Sequence, residues 1–242
     1  MKNLSLNPIF SLPAPGGARE ALDFRRIAEW RKSLFPETAE TLLELTANRA
    51  GLSGFLPDNP PIDLLDELME KAEKNRCRFV SLFIPITLNQ TGEKLEEEIS
   101  IVNGWTDLAA YMGIPLARLR LAEMSSDSFP SAQNALSQIV NYLSDADIVA
   151  SLSIPDLPIA QLLDFVEKHR DKEHPLLGCD WELETEPQQP LAECGIPSAM
   201  TASIHICFAQ RPNREDLEQR LREIESHFAE APPPVILSFN VE

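Results

Sequence analysis

The chain has 242 residues, with 38 Asp and Glu against 21 Lys and Arg, a net charge of −17, and 43% hydrophobic residues. That apolar fraction can bury a sizeable core and excludes wholesale disorder. The acidic balance argues against nucleic acid or an anionic membrane as partner, because phosphates are bound through an excess of Lys and Arg.

The N-terminal stretch MKNLSLNPIFSLPAP is broken by Pro8 and Pro13. It lacks the apolar run of about 7–15 residues and the small-residue cleavage site of a signal peptide. No window approaches the roughly 18 apolar residues that span a bilayer. Cys77, Cys179, Cys194 and Cys207 show no C-x-x-C spacing and read as small buried hydrophobes in a reduced, cytoplasmic protein.

Taken in chain order, Asn3–Phe10 reads as a first strand, 19–49 as helical material interrupted at Pro36, and 51–57 as a weak second strand. Residues 62–75 place Leu64, Leu65, Leu68, Met69 and Ala72 on one helical face, and a third strand follows at 78–84. The next helix is expected to be capped by Thr91 and closed by Gly113, with a stripe through Leu95, Ile99, Val102, Ala109 and Met112. Its EKLEEE run reads as a solvated face.

A fourth strand at 117–121 precedes a helix near 131–143 and a fifth strand at 148–154. Pro158 then opens a helix expected to bury Ile159, Leu162, Leu163 and Val166. A sixth strand at 176–183 and a seventh at 201–208 follow. The last helix has Asn213 and Asp216 as capping residues and Leu217, Leu221 and Ile224 as its stripe, and an eighth strand covers 235–241. No linker or short repeat divides the chain, so 1–242 is expected to be one domain. Eight strands separated mostly by helices predict an α/β fold, a (β/α)8 TIM barrel with lean loops and no helix after the last strand. An open doubly wound sheet is the runner-up; it lacks support from any G-x-G-x-x-G or Walker A pattern.

The strands alternate in a way that bears on function. Arg118 and Arg120 oppose Leu119 and Leu121, Ser151 and Ser153 oppose Leu152 and Ile154, and Asp180 and Glu182 oppose Cys179, Trp181 and Leu183. Ser203, His205 and Cys207 oppose Ile204, Ile206 and Phe208, and Ser238, Asn240 and Glu242 oppose Leu237, Phe239 and Val241. With helices over the apolar faces, the polar faces converge on the barrel axis. Buried charges must be paired, so Arg118 and Arg120 are expected to answer Asp180, Glu182 or Glu242. One reading of that pattern is an interior ion-pair network with no ligand. The other is a site at the C-terminal strand ends, drawn from Asn7, Glu123, Ser153, Asp180, Glu182, His205, Asn240 and Glu242. His169 and His227 complement helix C-termini, and neither they nor His174 are assigned chemistry.

These residues resemble a family. WTDLAAYMGIPLARLRLA (105–122), DIVASLSIPDLPIAQLLDFVEKH (147–169), PLLGCDWELE (175–184) and SIHICF (203–208) are similar to segments of the xylose isomerase-like barrels, which include sugar phosphate isomerases/epimerases and type-2 apurinic endonucleases. The resemblance implies a divalent metal held by Glu after strand five, Asp after strand six, His on strand seven and Glu on strand eight. Asp180 and His205 match two of these. Ser153 and Asn240 stand where the two Glu belong, and Leu183 and Phe208 replace a further His and Asp.

The implied protein is therefore a sugar or sugar-phosphate isomerase/epimerase-like barrel with a degenerate metal site. The alternative is a non-catalytic small-molecule-binding or scaffold barrel. No cofactor is expected; a divalent metal is an option only if Glu182 or Glu242 joins Asp180 and His205. In the enzyme reading Glu182, His205 and Glu242 move the proton, and Asn7, Arg118, Arg120, Ser153, Asp180 and Asn240 bind a small polar molecule, a sugar or sugar phosphate. Homo-oligomerisation is one way to cover the flank left by the absent last helix.

Overall fold

The computed structural model describes residues 8–11, 24–35, 40–47, 60–122, 124–170, 176–184, 197–208, 214–228 and 232–239. Its eight strands are β1 (Ile9–Ser11), β2 (Thr41–Thr46), β3 (Cys77–Ile86), β4 (Leu116–Leu121), β5 (Val149–Ser153), β6 (Leu177–Glu184), β7 (Thr201–Phe208) and β8 (Val235–Phe239). Each pairs in parallel with its sequence neighbours, and β1 also pairs with β8 through Ile9↔Ile236 and Phe10↔Leu237, which closes the barrel. Helices α1 (Phe24–Leu34), α2 (Ile62–Lys74), α3 (Glu93–Tyr111), α4 (Phe129–Asp145), α5 (Ile159–His169) and α6 (Arg214–His227) lie between strands. Among the described residues, only a short 3-10 turn, Ser198–Met200, stands between β6 and β7.

Two apolar populations hold this arrangement. The larger lies between barrel and helices and takes in the outward strand residues Leu43, Leu45, Leu82, Leu119, Leu152, Cys179, Ile206 and Leu237. They pack against helix residues such as Leu65, Val102, Leu136, Phe165 and Leu221. The smaller is a separate inner cluster of Ile9, Val80, Leu116 and Ile236, joined by Leu42 and Val149. It fills the N-terminal end of the lumen, as side chains do in a barrel of eight strands.

Several sequence expectations need correction. The second strand is Thr41–Thr46, inside the stretch read as helical, and 51–57 lies outside the described residues. TLLELT has Thr at both ends and only six residues after the break at Pro36, a strand length and not a helix length. β1 is confined to Ile9–Ser11 among the described residues.

At the helix ends, α3 begins after Gly92 (φ +63), with no side-chain cap from Thr91. Gly113 does close it in the left-handed region (φ +66), its N–H bonded to the Ala110 carbonyl. Glu98 is not solvated with the rest of its run; it is buried and accepts the Thr87 N–H at 2.9 Å. Pro158 is the residue before α5, and Ile159 is 53% exposed, because Phe165 takes the inward position beside Leu162 and Val166. Leu64 is likewise exposed on α2. Cys77 and Cys179 are buried and Cys207 is half-buried. No described helix is long and apolar enough to cross a membrane.

Candidate functional site

The inward side chains become more polar from the N-terminal to the C-terminal end of the strands. Above the inner apolar cluster lie Glu44, Ser81, Arg118, Ser151, Asp180 and Ser203, all buried. Beyond them come Arg120, Ser153, Glu182, His205, Cys207 and Ser238, half-buried apart from Ser153, which is buried. This second group sits at the mouth, where parallel barrels assemble their sites.

Arg118 is the centre of the first group. Its side chain is 1% exposed, and so is that of Asp180; Glu44 is 0% exposed. Nη1 donates to both Glu44 oxygens at 2.8 and 2.9 Å, and Nε donates to Asp180 Oδ2 at 3.0 Å. Nη2 lies 2.9 Å from the same Oδ2, in ion-pair contact without hydrogen-bond alignment. The guanidinium carbon is 5.1 Å from the centre of the Phe83 ring, within cation–π range.

Hydroxyls complete the shell. Ser81 donates to Glu44 Oε2 at 2.8 Å, Ser203 donates to Asp180 Oδ1 at 2.5 Å, and Ser151 and Ser203 share a hydrogen bond at 2.7 Å. Burial works against the charge on Arg118, but the Asp180 and Glu44 carboxylates outweigh it and hold its pKa above the ordinary value.

The mouth is held more loosely. Arg120 is 44% exposed, and its Nη2 lies 3.4 Å from Glu182 Oε2. Ser153 donates to Glu182 Oε1 at 3.3 Å. Glu182 and His205 are register partners on β6 and β7, and His205 Nε2 is 2.8 Å from Ser238 Oγ. Cys207 Sγ lies 3.7 Å from the ring nitrogens and accepts from Ser238 at 3.5 Å. Burial, reinforced by the charges of Arg118 and Arg120, lowers the His205 pKa from 6.5 to about 2, so the imidazole is neutral and a weak base. Burial also raises the Cys207 thiol, which stays protonated.

The structure thus brings together Arg118, Arg120, Ser153, Asp180, Glu182 and His205 from the sequence-derived set. Asn7, Glu123, Asn240 and Glu242 lie outside the described residues. The expected pairing of the arginines with Asp180 and Glu182 is present, and Arg118 has a second buried carboxylate partner, Glu44, on a strand that lies within the stretch expected to be helical. The signal was there: in TLLELT, Glu44 alternates with Leu43 and Leu45 as Asp180 alternates with Cys179 and Trp181. Ser151, Ser203 and Ser238 lie on the expected polar faces, and together with Ser81 they act as hydrogen-bond partners of the charged groups and of one another. Among the other histidines, His169 bonds the Phe165 carbonyl and Ser137 and stacks on the Phe165 ring, a structural role.

Asp180, Glu182 and His205 each offer one ligand atom, and these atoms lie within 4.8 Å of one another. Their donor types suit a divalent cation. Each group is, however, already engaged: Asp180 by Arg118 and Ser203, Glu182 by Arg120 and Ser153, and His205 by Ser238.

No protein-family model matches the sequence, and no curated protein is similar to it at a significant level. Solved structures do share its shape. D-allulose 3-epimerase from Methylomonas sp. superimposes with a TM-score of 0.65 at 10% identity, over 96% of this chain and 84% of that one. A sugar phosphate isomerase/epimerase from Parabacteroides distasonis gives 0.63 at 11% identity, over 98% and 88%. A xylose isomerase-like TIM barrel protein from Mycobacterium smegmatis, in complex with magnesium, gives 0.62 at 11%, over 98% and 91%. The chain shares with these structures the closed (β/α)8 TIM-barrel fold. Within that fold the mouth of this barrel is lined by Arg120, Glu182 and His205, with Arg118 ion-paired to Glu44 and Asp180 beneath them.

Proposed function

We propose that this xylose isomerase-like barrel binds a small, polyhydroxylated, anionic molecule, a sugar phosphate or sugar acid, at its C-terminal mouth, and that its metal site is degenerate. The observation that carries the ligand class is the contrast between the two arginines. Arg118 is buried and taken by two carboxylates, whereas Arg120 is half exposed and holds Glu182 at 3.4 Å. Arg120 is the group available to a phosphate or carboxylate, for which a guanidinium fork is well shaped. Glu182, His205, Ser153 and Ser238 supply donors and acceptors for hydroxyls around it. The isomerase/epimerase likeness of the solved neighbours supports a sugar-like ligand.

If turnover occurs, Glu182 is the base, because a neutral imidazole with a strongly lowered pKa accepts a proton poorly. His205 then acts as a neutral hydrogen-bonding group to a sugar oxygen. The same lowered pKa favours the second reading, a barrel that binds its ligand without converting it. The Asp180, Glu182 and His205 cluster does not fit a resident divalent ion, since both Asp180 oxygens already face the Arg118 guanidinium and the Ser203 hydroxyl.

A thermal-shift and calorimetric screen of sugars, sugar acids and sugar phosphates tests the ligand class. Anionic sugars are expected to raise the melting temperature, and Arg120→Gln to weaken their binding by about 10- to 100-fold, the loss of a charged hydrogen bond. Equal binding to Arg120→Gln, or no ligand at all, overturns the reading. For any sugar bound, Glu182→Gln separates the two cases: a rate loss of about 10²- to 10⁴-fold marks acid–base turnover, and an absence of product from the wild type marks a binding protein.

A further inference from the structure

The interior of this barrel already contains a cation. We infer that the Arg118 guanidinium, held between Glu44 and Asp180, serves as the built-in counterpart of a divalent metal ion for the Asp180–Glu182–His205 cluster, and that removing it turns the cluster into a divalent-cation site. The inference rests on the reading of the metal site as degenerate and names what has taken the ion's place.

Glu44 and Asp180 are both buried, and two buried carboxylates without a cation are strongly unfavourable. Arg118 alone among the described residues reaches both of them, with three hydrogen bonds and one further ion-pair contact between 2.8 and 3.0 Å. A divalent ion needs carboxylate lone pairs at about 2.0–2.6 Å. Both Asp180 oxygens are instead engaged: Oδ2 faces Nε and Nη2 of Arg118, and Oδ1 faces Ser203.

Removing the guanidinium leaves the ligand groups in place. Asp180, Glu182 and His205 still place their ligand atoms within 4.8 Å, and Glu44, the other carboxylate that Arg118 reaches, is left without its counter-charge. A dication then restores the balance that Arg118 provides. Arg118→Met keeps most of the apolar stem and deletes the N–H donors, and its thioether is too soft to compete for Mn²⁺.

The test measures manganese content and melting temperature for the wild type and Arg118→Met, each equilibrated with Mn²⁺ or EDTA and passed through gel filtration. The wild type is expected to retain no stoichiometric Mn²⁺ and to melt at the same temperature in both. Arg118→Met is expected to retain about one Mn²⁺ per chain and to melt about 5–10 °C higher with metal than with EDTA. If it folds only with Mn²⁺, as read by circular dichroism, that also supports the inference.

Stoichiometric Mn²⁺ on the wild type overturns the degenerate-site reading and the inference with it. A metal-free wild type with an Arg118→Met variant that neither binds Mn²⁺ nor is recovered by it overturns the inference alone. Sugar binding, measured separately, is unaffected by either result.

Discussion

Arg118 and His205 show how neighbours decide what one side chain does. A guanidinium between two buried carboxylates is stabilised only while all three charges are present, because removing one leaves the others unpaired in a poorly solvated interior. Arg118→Met without metal is therefore expected to lose about 3–5 kcal/mol of unfolding free energy. Glu44→Gln leaves Asp180 in place and should lose less, about 1–3 kcal/mol. Denaturant titration of the two variants checks the ranking, and a Glu44→Gln loss equal to that of Arg118→Met contradicts it. His205 gives a pH signature. Its folded pKa is lowered from 6.5 to about 2, so between those values the unfolded chain binds more protons. Its contribution is fully present above pH 6.5 and declines as pH falls through that window. His205→Asn should flatten the fall in melting temperature between pH 6.5 and about 5, above the range where most carboxylates titrate. Parallel curves for the two proteins contradict this.

At the level of elements, the contacts that place β6 and β7 are the most exacting. The two strands change register between Cys179 and Asp180, with Cys179 opposite Thr201 and Asp180 opposite Ser203. Gly178 sits just before this shift, and a Cβ there would lie 2.7 Å from Ala202 Cβ and 2.9 Å from the Ala202 nitrogen. Backbone cannot yield as a flexible side chain does. Gly178→Ala is expected to destabilise by about 1–3 kcal/mol and, by moving β7, to disturb the mouth as well. A melting temperature within a degree of wild type would contradict this. Glu98 does comparable work between β3 and α3, where its carboxylate takes the Thr87 N–H that the strand ladder no longer pairs. Tyr111 and Tyr142 tie neighbouring helices to Asp66 and Asp107, and in both the hydrogen bond to the carboxylate raises the phenol pKa.

At the scale of the whole molecule, the charge of −17 is distributed unevenly. Most visible ion pairs are exposed, such as Arg25–Glu29, Lys71–Glu67 and Lys74–Glu70, and contribute little. The surface acidity repels itself, and salt screens that repulsion over a Debye length near 10 Å at about 0.1 M. The buried Arg118 cluster is screened far less. Melting temperature is therefore expected to rise as NaCl increases from about 20 to 200 mM at pH 7. A fall would mean that attractive surface pairs outweigh net repulsion.

The amino-acid sequence by itself determined the alternation that makes the barrel. Asp180, Glu182, Ser203 and His205 fall on one side of their strands whatever those strands pair with, because side chains alternate along any extended backbone. The residues of β7 are legible by the same alternation, and the stripe Leu217, Leu221 and Ile224 of α6 by the 3.6-residue period of a helix. Only the tertiary structure decided who meets whom. Arg118 finds Glu44 at a separation of 74 residues and Asp180 at 62, through strand pairing and barrel closure that no local period encodes. The same holds for Glu98, whose neighbours read as solvated until the end of β3 presents an N–H to it. Local chemistry set which faces are polar; the closure of the sheet set which charges share the lumen, and so which of them are saturated and which are left to a ligand.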